Sequence, residues 1–484
     1  MRVMPYPVLE GLEPEDFFYW FGVISKIPRG SRKEGQFIAF LQRYAEERGL
    51  PCETDQAGNV MIRVPATPGH EDRPPVLLQA HMDMVWTTVP GKEFDFETQG
   101  IEILRKDDLL VGDGTTLGAD NGVGLAVMLA LGDNPEIKHP PLELLFTVEE
   151  EIGLKGIRKF DYAQIQSRRM LNMDCGYSHI VGVSSAGSAP LLLEKEYRPE
   201  PVADDAIGLA IKISGCTGGH SGLMIYKEGA CAGNLTGALL TALEPFAYRV
   251  SKLESLGKAI LKGFASEILI PAASRQAVEE VLRERFAQQK QEYERTDPDM
   301  ALEIREVPVG TEALSVADSR NVGRALFLLV TGPIRSRGDD RRILITSGNI
   351  IDANLQDGHL AIRYGLRSSS DFYKMLCIER IRMQTEALEL EVQVTDCYPG
   401  WGERVESPFR DLFLAEHRRI CGFDAELERV HGGIEVGMIV GAIPEMDAVG
   451  YAPTARGAHT PEEWMSISEV KPFWDVLLAV LEKC

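Results

Sequence analysis

Three apolar runs within the first 174 residues each end in side chains that bind hard or borderline metal ions. Val76-Leu77-Leu78-Gln79-Ala80 runs into His81 and Asp83, Leu142 to Val148 into Glu149-Glu150-Glu151, and Met170 to Met173 into Asp174. In open α/β sheets the ligand crevice lies beyond the carboxyl ends of the strands, so polar residues arriving there suit chemistry better than packing. His81 offers one imidazole nitrogen to a metal, and the Asp83 carboxylate is expected to accept a hydrogen bond from the other and fix the tautomer. A further carboxylate, Asp120, opens a helix after a loop whose Gly112, Gly114, Gly118 and Gly122 imply backbone geometry that other residues resist. Each feature has a plainer explanation alone: a strand-end His-Asp pair, a helix N-cap at Asp120, a solvated strand end for the three glutamates. Jointly they form an N/O donor set suited to zinc, cobalt or manganese.

Helical periodicity covers residues 14–26 and 34–48, after which strand-like and helical runs alternate, as in a sheet flanked by helices. The texture changes near residue 186. From there to 395 the half-exposed strands, such as Leu360 to Arg367, fit two helices on an antiparallel sheet. The α/β pattern returns after Tyr398-Pro399-Gly400-Trp401. The expected architecture is a discontinuous three-layer α/β/α domain, residues 1–186 and 396–484, interrupted by an α+β domain over 187–395.

A chain of 484 residues exceeds the size at which one core keeps growing, about 250–300 residues, so two domains are the default. A formal charge of −22 opposes binding to nucleic acid or anionic membranes. Eight scattered cysteines with no C-x-x-C pair fit a reducing compartment, and no apolar run approaches a bilayer span. The expected location is the cytoplasm. No G-x-S-x-G elbow, P-loop or dinucleotide fingerprint is present.

The order of the motifs resembles that of the M20 family of cocatalytic metallopeptidases, and within it the aminoacylhistidine dipeptidases. The resemblance rests on His81-Met82-Asp83, Gly114 to Gly122, Glu149 to Gly153, Asn172-Met173-Asp174, Gly218 to Gly222, Tyr398 to Trp401, His431 to Glu435 and Gly457 to Glu463. It implies two divalent metal ions, zinc first and cobalt or manganese as alternatives. Asp120 would bridge them, His81 and Asp174 completing one site and Glu151 and His459 the other. With Gly153 as the register mark, Glu150 becomes the general base, and Asp83 stands behind His81.

The interrupting domain would act as lid and homodimer interface, with His220 stabilising the oxyanion. Arg367 is a candidate for the substrate's terminal carboxylate, Glu435 for its amino group, and Asn234 for a further substrate contact. Asn234 is displaced from the family's usual asparagine positions, which hold Cys231 or Gly233 here. The implied activity is hydrolysis of dipeptides with a free amino terminus, Xaa-His among them. Alternatives are N-acyl amino acid deacylation, tripeptide cleavage, or a binding protein that keeps the fold without turnover.

Overall fold

The computed structural model describes residues 3–340 and 342–484, which divide into two units. Unit 1 contains residues up to Ser184 with Trp401–Val430 and Ile434–Cys484; unit 2 contains Ser185–Gly400 and His431–Gly433. The short segment His431–Gly433 therefore departs from the expected division, which assigned all of 396–484 to the first domain.

Unit 1 opens with helices α1 (Glu15–Ser25) and α2 (Gly35–Arg48), then strands β1 (Cys52–Thr54), β2 (Val60–Val64) and β3 (Val76–His81). A hairpin follows, β4 (Ile103–Lys106) and β5 (Leu109–Gly112), then helix α3 (Ala119–Asp133) and strands β6 (Leu142–Thr147), β7 (Arg169–Asn172) and β8 (Ile180–Ser185). The sheet order is β1-β2-β6-β3-β7, then Asp447–Gly450, β8 and Glu426–Val430. β3 pairs in parallel with both β6 and β7, and β7 with Asp447–Gly450. Every residue of β3 and β6 is buried, as strands covered on both faces must be. α3 is apolar nearly all round and buried from Val123 to Leu131, a helix that belongs inside a core.

Unit 2 is a nine-stranded sheet whose pairs are antiparallel, with Leu344–Gln356, His359–Ser368 and Gly187–Glu196 adjacent. Gly187–Glu196 alternates buried and half-buried residues along most of its length, the pattern of a sheet with one face on a core. The expected pair of helices is an undercount. Ala232–Ala242, Arg275–Glu292, Val316–Leu328 and Asp371–Glu386 are all helical. The Val316–Leu328 helix begins at a Ser315 cap, whose hydroxyl accepts from the Asp318 N–H at 3.0 Å.

Among the described residues, no helix is long and apolar enough to cross a membrane.

Candidate metal centre

Parallel pairing brings the ends of β6, β3 and β7 side by side, with His81 in register with Thr147 and Gln79 with Asn172. The chain continuing from those ends therefore delivers His81, Glu149–Glu151 and Asp174 to one place. His81 Nε2 lies 3.0 Å from Asp120 Oδ1 and 3.6 Å from Asp174 Oδ1. On the other side, His459 Nε2 lies 2.9 Å from Glu151 and 3.4 Å from Asp120 Oδ2. Asp120 thus turns one oxygen to each imidazole. Two triads result, His81-Asp120-Asp174 and Asp120-Glu151-His459, each with its ligating atoms within 4.8 Å of one another. Glu150 joins His81 and Glu151 in a third such group. Asp120 and Asp174 also line a cleft with Tyr177 and Arg456.

Crowding so many carboxylates in a buried place has a visible electrostatic cost. Burial pushes the Glu150 carboxyl well above the usual range against the pull of His81, and pushes Asp174 up to about 6. Burial also opposes ionisation of Asp120, but hydrogen bonds from His459 and His81 outweigh it and hold its pKa low. Hydrogen bonds to Asp120 and Glu151 raise His459 to about 10. Without metal, hydrogen bonds to the carboxylates pull both imidazoles toward the protonated form, against burial. Divalent cations meet the carboxylates' demand with more charge, and the N/O donor set fits them.

The support beneath the ligands differs from expectation at Asp83. His81 Nδ1 donates to the Asp83 backbone carbonyl at 2.9 Å, whereas the Asp83 carboxylate is 3.6 Å away, too far for a hydrogen bond. That carboxylate instead accepts from the N–H groups of Glu150 at 3.0 Å and Glu151 at 3.2 Å, and from the Ser31 hydroxyl at 2.7 Å. Asp83 orients the glutamate turn, and its main chain orients the histidine. Asp120 is likewise no N-cap: Gly118, with φ of 71°, holds the cap position, and Asp120 lies inside Ala119–Asp133 at a kink. A Cβ on Gly118 would meet Arg29 Nη2 at 2.7 Å and Met84 Sδ at 2.8 Å, so both conformation and space demand glycine.

Two charged residues that carry this loop had no assigned role in the sequence. The Glu463 carboxylate accepts from the N–H groups of Leu117 and Gly118, both at 2.8 Å, and of Asp120 at 3.0 Å. Arg29, buried, donates to the carbonyls of Met82 at 2.9 Å, Asp83 at 3.3 Å and Gly118. Burial shifts both, Glu463 up to about 7 and Arg29 down to about 10. Glu463 closes the motif Gly457 to Glu463; Arg29 falls between the helical stretches 14–26 and 34–48, where neither periodicity nor spacing singles it out. Glu435 is also buried, bonded to Gln79 and to the Thr147 hydroxyl at 2.5 Å, with Oε1 unpartnered and its pKa pushed by burial to about 8.

Within unit 2, Arg367 Nε donates to the Ser221 hydroxyl at 3.3 Å, and burial together with the Arg367 charge keeps His220 below its usual pKa. His431, to which no role was assigned, bonds Ser347 at 2.8 Å and is lowered to about 4, first by burial and then by Arg367. The substrate contact expected of Asn234 meets a different arrangement. Its Nδ2 donates to the carbonyls of Leu326, Phe327 and Leu329, each at 3.2 Å, tying its helix to the end of Val316–Leu328.

An α/β sheet with paired N/O triads beyond parallel strand ends defines the class, a metallohydrolase. The sequence model of "Peptidase family M20/M25/M40" matches residues 77–483, and the chain belongs to this family of peptide-bond hydrolases, which use divalent metal. A curated relative, the cytosol non-specific dipeptidase of Escherichia coli (strain K12), is 29% identical over 479 residues, covering 98% of this chain and 99% of the relative. The crystal structure of aminoacylhistidine dipeptidase from Vibrio alginolyticus superposes with a TM-score of 0.91 at 27% identity, over 98% of each chain. Aminopeptidase PepT from Bacillus cereus ATCC 10987 shares the fold, with a TM-score of 0.61 at 18% identity over 98% of this chain and 99% of that one. The expected fold class and family are borne out.

Proposed function

We propose that this protein hydrolyses dipeptides with a free amino terminus, using two divalent ions, zinc first, held by His81-Asp120-Asp174 and by Asp120-Glu151-His459. The observation that carries the reading is Asp120 placed between two imidazoles, with one oxygen toward each. Two ions bound in such triads would supply Lewis acidity, polarising the scissile carbonyl and making water more acidic.

The chain's own groups do the rest. Glu150 takes a proton from the attacking water as its oxygen adds to the carbonyl carbon, and delivers that proton to the amine nitrogen as the C–N bond breaks. Burial raises the Glu150 pKa, the direction a base working near neutral pH requires. Asp83 holds the Glu150-Glu151 turn in place through two N–H groups. His220 donates to the developing oxyanion, and Arg367 binds the substrate's terminal carboxylate. Glu435 Oε1, buried and unpartnered, accepts from the substrate's ammonium once the cationic charge of ammonium and metal has ionised the carboxyl.

We further assign unit 2 as a lid and homodimer interface. Phe372, Met375 and Met383, 78%, 48% and 73% exposed on the Asp371–Glu386 helix, support that assignment. The E. coli relative's name favours a cytoplasmic location.

The test is a panel of dipeptides, tripeptides and N-acyl amino acids offered to protein reconstituted with zinc, cobalt or manganese. Dipeptides with a free amino group should turn over fastest. Turnover of acylated amino acids alone would overturn the dipeptidase reading.

A further inference from the structure

The helix Pro408–Cys421 ends in a second cluster of metal-binding side chains, built from none of the residues above. His417 and Cys421 lie four positions apart and so share a helix face. His179 reaches them from the turn before β8, and its ring nitrogen Nδ1 lies 3.1 Å from His417 Nε2. One ring nitrogen of each histidine and Cys421 Sγ all fall within 4.8 Å of one another.

His417 is fully buried, and its Nδ1 bonds the Phe423 carbonyl at 3.1 Å. That bond requires the proton on Nδ1, which leaves the Nε2 lone pair aimed at His179. A carbonyl partner behind a histidine is the usual means of presenting the opposite nitrogen to a metal. Phe423 packs on both imidazoles, its ring centroid 5.0 Å from His179 and 5.2 Å from His417. His179 and Cys421 are only partly buried, so an ion can reach the cluster from solvent.

We propose that His179, His417 and Cys421 bind a single zinc(II)-like ion, with solvent in the fourth position. Zn–N bonds of about 2.0–2.1 Å in a tetrahedron set two nitrogens about 3.3–3.4 Å apart, close to the spacing these rings already have. On binding, the Cys421 S–H bond breaks, the sulfur–metal bond forms and that proton passes to solvent, while His179, whose Nδ1 donates to His417 without the ion, carries its proton on Nε2 instead and frees the Nδ1 lone pair for the ion. Thiolate with two imidazoles selects a softer ion than the carboxylate-rich centre does. The ion ties the carboxyl end of the helix to the His179 turn, whose carbonyl already accepts from the Glu426 N–H at 3.0 Å at the start of Glu426–Val430.

The competing account is a bare hydrogen bond from His179 to His417, which needs no metal. Cobalt(II) separates the two, because the first centre's proposed ligands are only nitrogen and oxygen and give no thiolate-to-cobalt charge-transfer band. Chelator-treated full-length protein titrated with cobalt should develop that near-ultraviolet band. Cys421→Ser should abolish it, and Cys175→Ser, beside Asp174, should keep it. As a measurement that needs no variant, zinc should slow alkylation of Cys421 by about tenfold, read by mass spectrometry, while exposed Cys397 stays unchanged. A wild-type protein without the band, a band appearing only with cobalt in large excess, a band surviving Cys421→Ser, or unprotected Cys421 would overturn the proposal.

Discussion

The two units are built on sheets of opposite kind, and the difference decides where charge accumulates. In unit 1 the adjoining strands β6, β3 and β7 run parallel, so each chain segment leaves the sheet at the same end. Histidine and carboxylates placed after those strands must meet. In the antiparallel sheet of unit 2 neighbouring strands end at opposite edges, and the polar residues His220, Arg367 and His431 come from a loop, a strand and a returning segment. Parallel topology concentrates carboxylates at one sheet end, where divalent ions can offset them; unit 2 instead gathers two histidines around a single arginine.

That contrast breaks if substitutions in the two units have the same consequences. The largest effect is expected from Glu150→Gln in unit 1, which should lower kcat by about 10²–10⁴ with metal content unchanged by elemental analysis. Chelation should come next. Two ions that bind the folded state alone stabilise it, each by about 2.7 kcal/mol at a hundredfold excess over Kd, so Tm should fall on metal removal and return with zinc. In unit 2, Arg367→Ala should raise KM roughly ten- to a hundredfold while metal content stays constant, the loss of charge-assisted hydrogen bonds to a carboxylate. Asn234→Ala should cost about 1–3 kcal/mol in urea unfolding, from carbonyls left unsatisfied, and leave KM unaltered.

Read over a single pH unit, the smallest effect is a slope. Burial raises the Glu435 pKa from 4.5 to about 8, so the folded state holds this proton where the unfolded state has lost it. Its contribution is fully present below the usual carboxyl range and declines as pH rises toward 8, by at most about 1.4 kcal/mol per pH unit. Metal-free Glu435→Gln should show a flatter pH dependence of unfolding across that window; an unchanged slope would assign the titration elsewhere.

Much of the centre was legible before folding, because the information is local. A largely apolar run followed by a ligand, as at Ala80-His81, specifies a buried strand and the chemistry at its end at once. The undercounted helices of unit 2 show the opposite case. Val316–Leu328 carries Asp318, Ser319, Arg320, Asn321 and Arg324 among its apolar positions, and its tie to Asn234 lies more than eighty residues back in sequence. Its packing partner cannot be inferred from its own pattern.

Side-chain types and their position relative to apolar runs determined, from the sequence alone, that His81, Glu150, Glu151 and Asp174 would stand at strand ends. Tertiary structure decided which atoms face which. It set the Asp83 carbonyl rather than its carboxylate against His81, placed Glu463 and Arg29 under the Gly118 loop, and put His459 beside Glu151 across 308 residues of chain. The reason is physical. Burial periodicity and terminal polarity are written residue by residue, whereas a hydrogen bond good to a fraction of an ångström depends on how distant segments close upon one another.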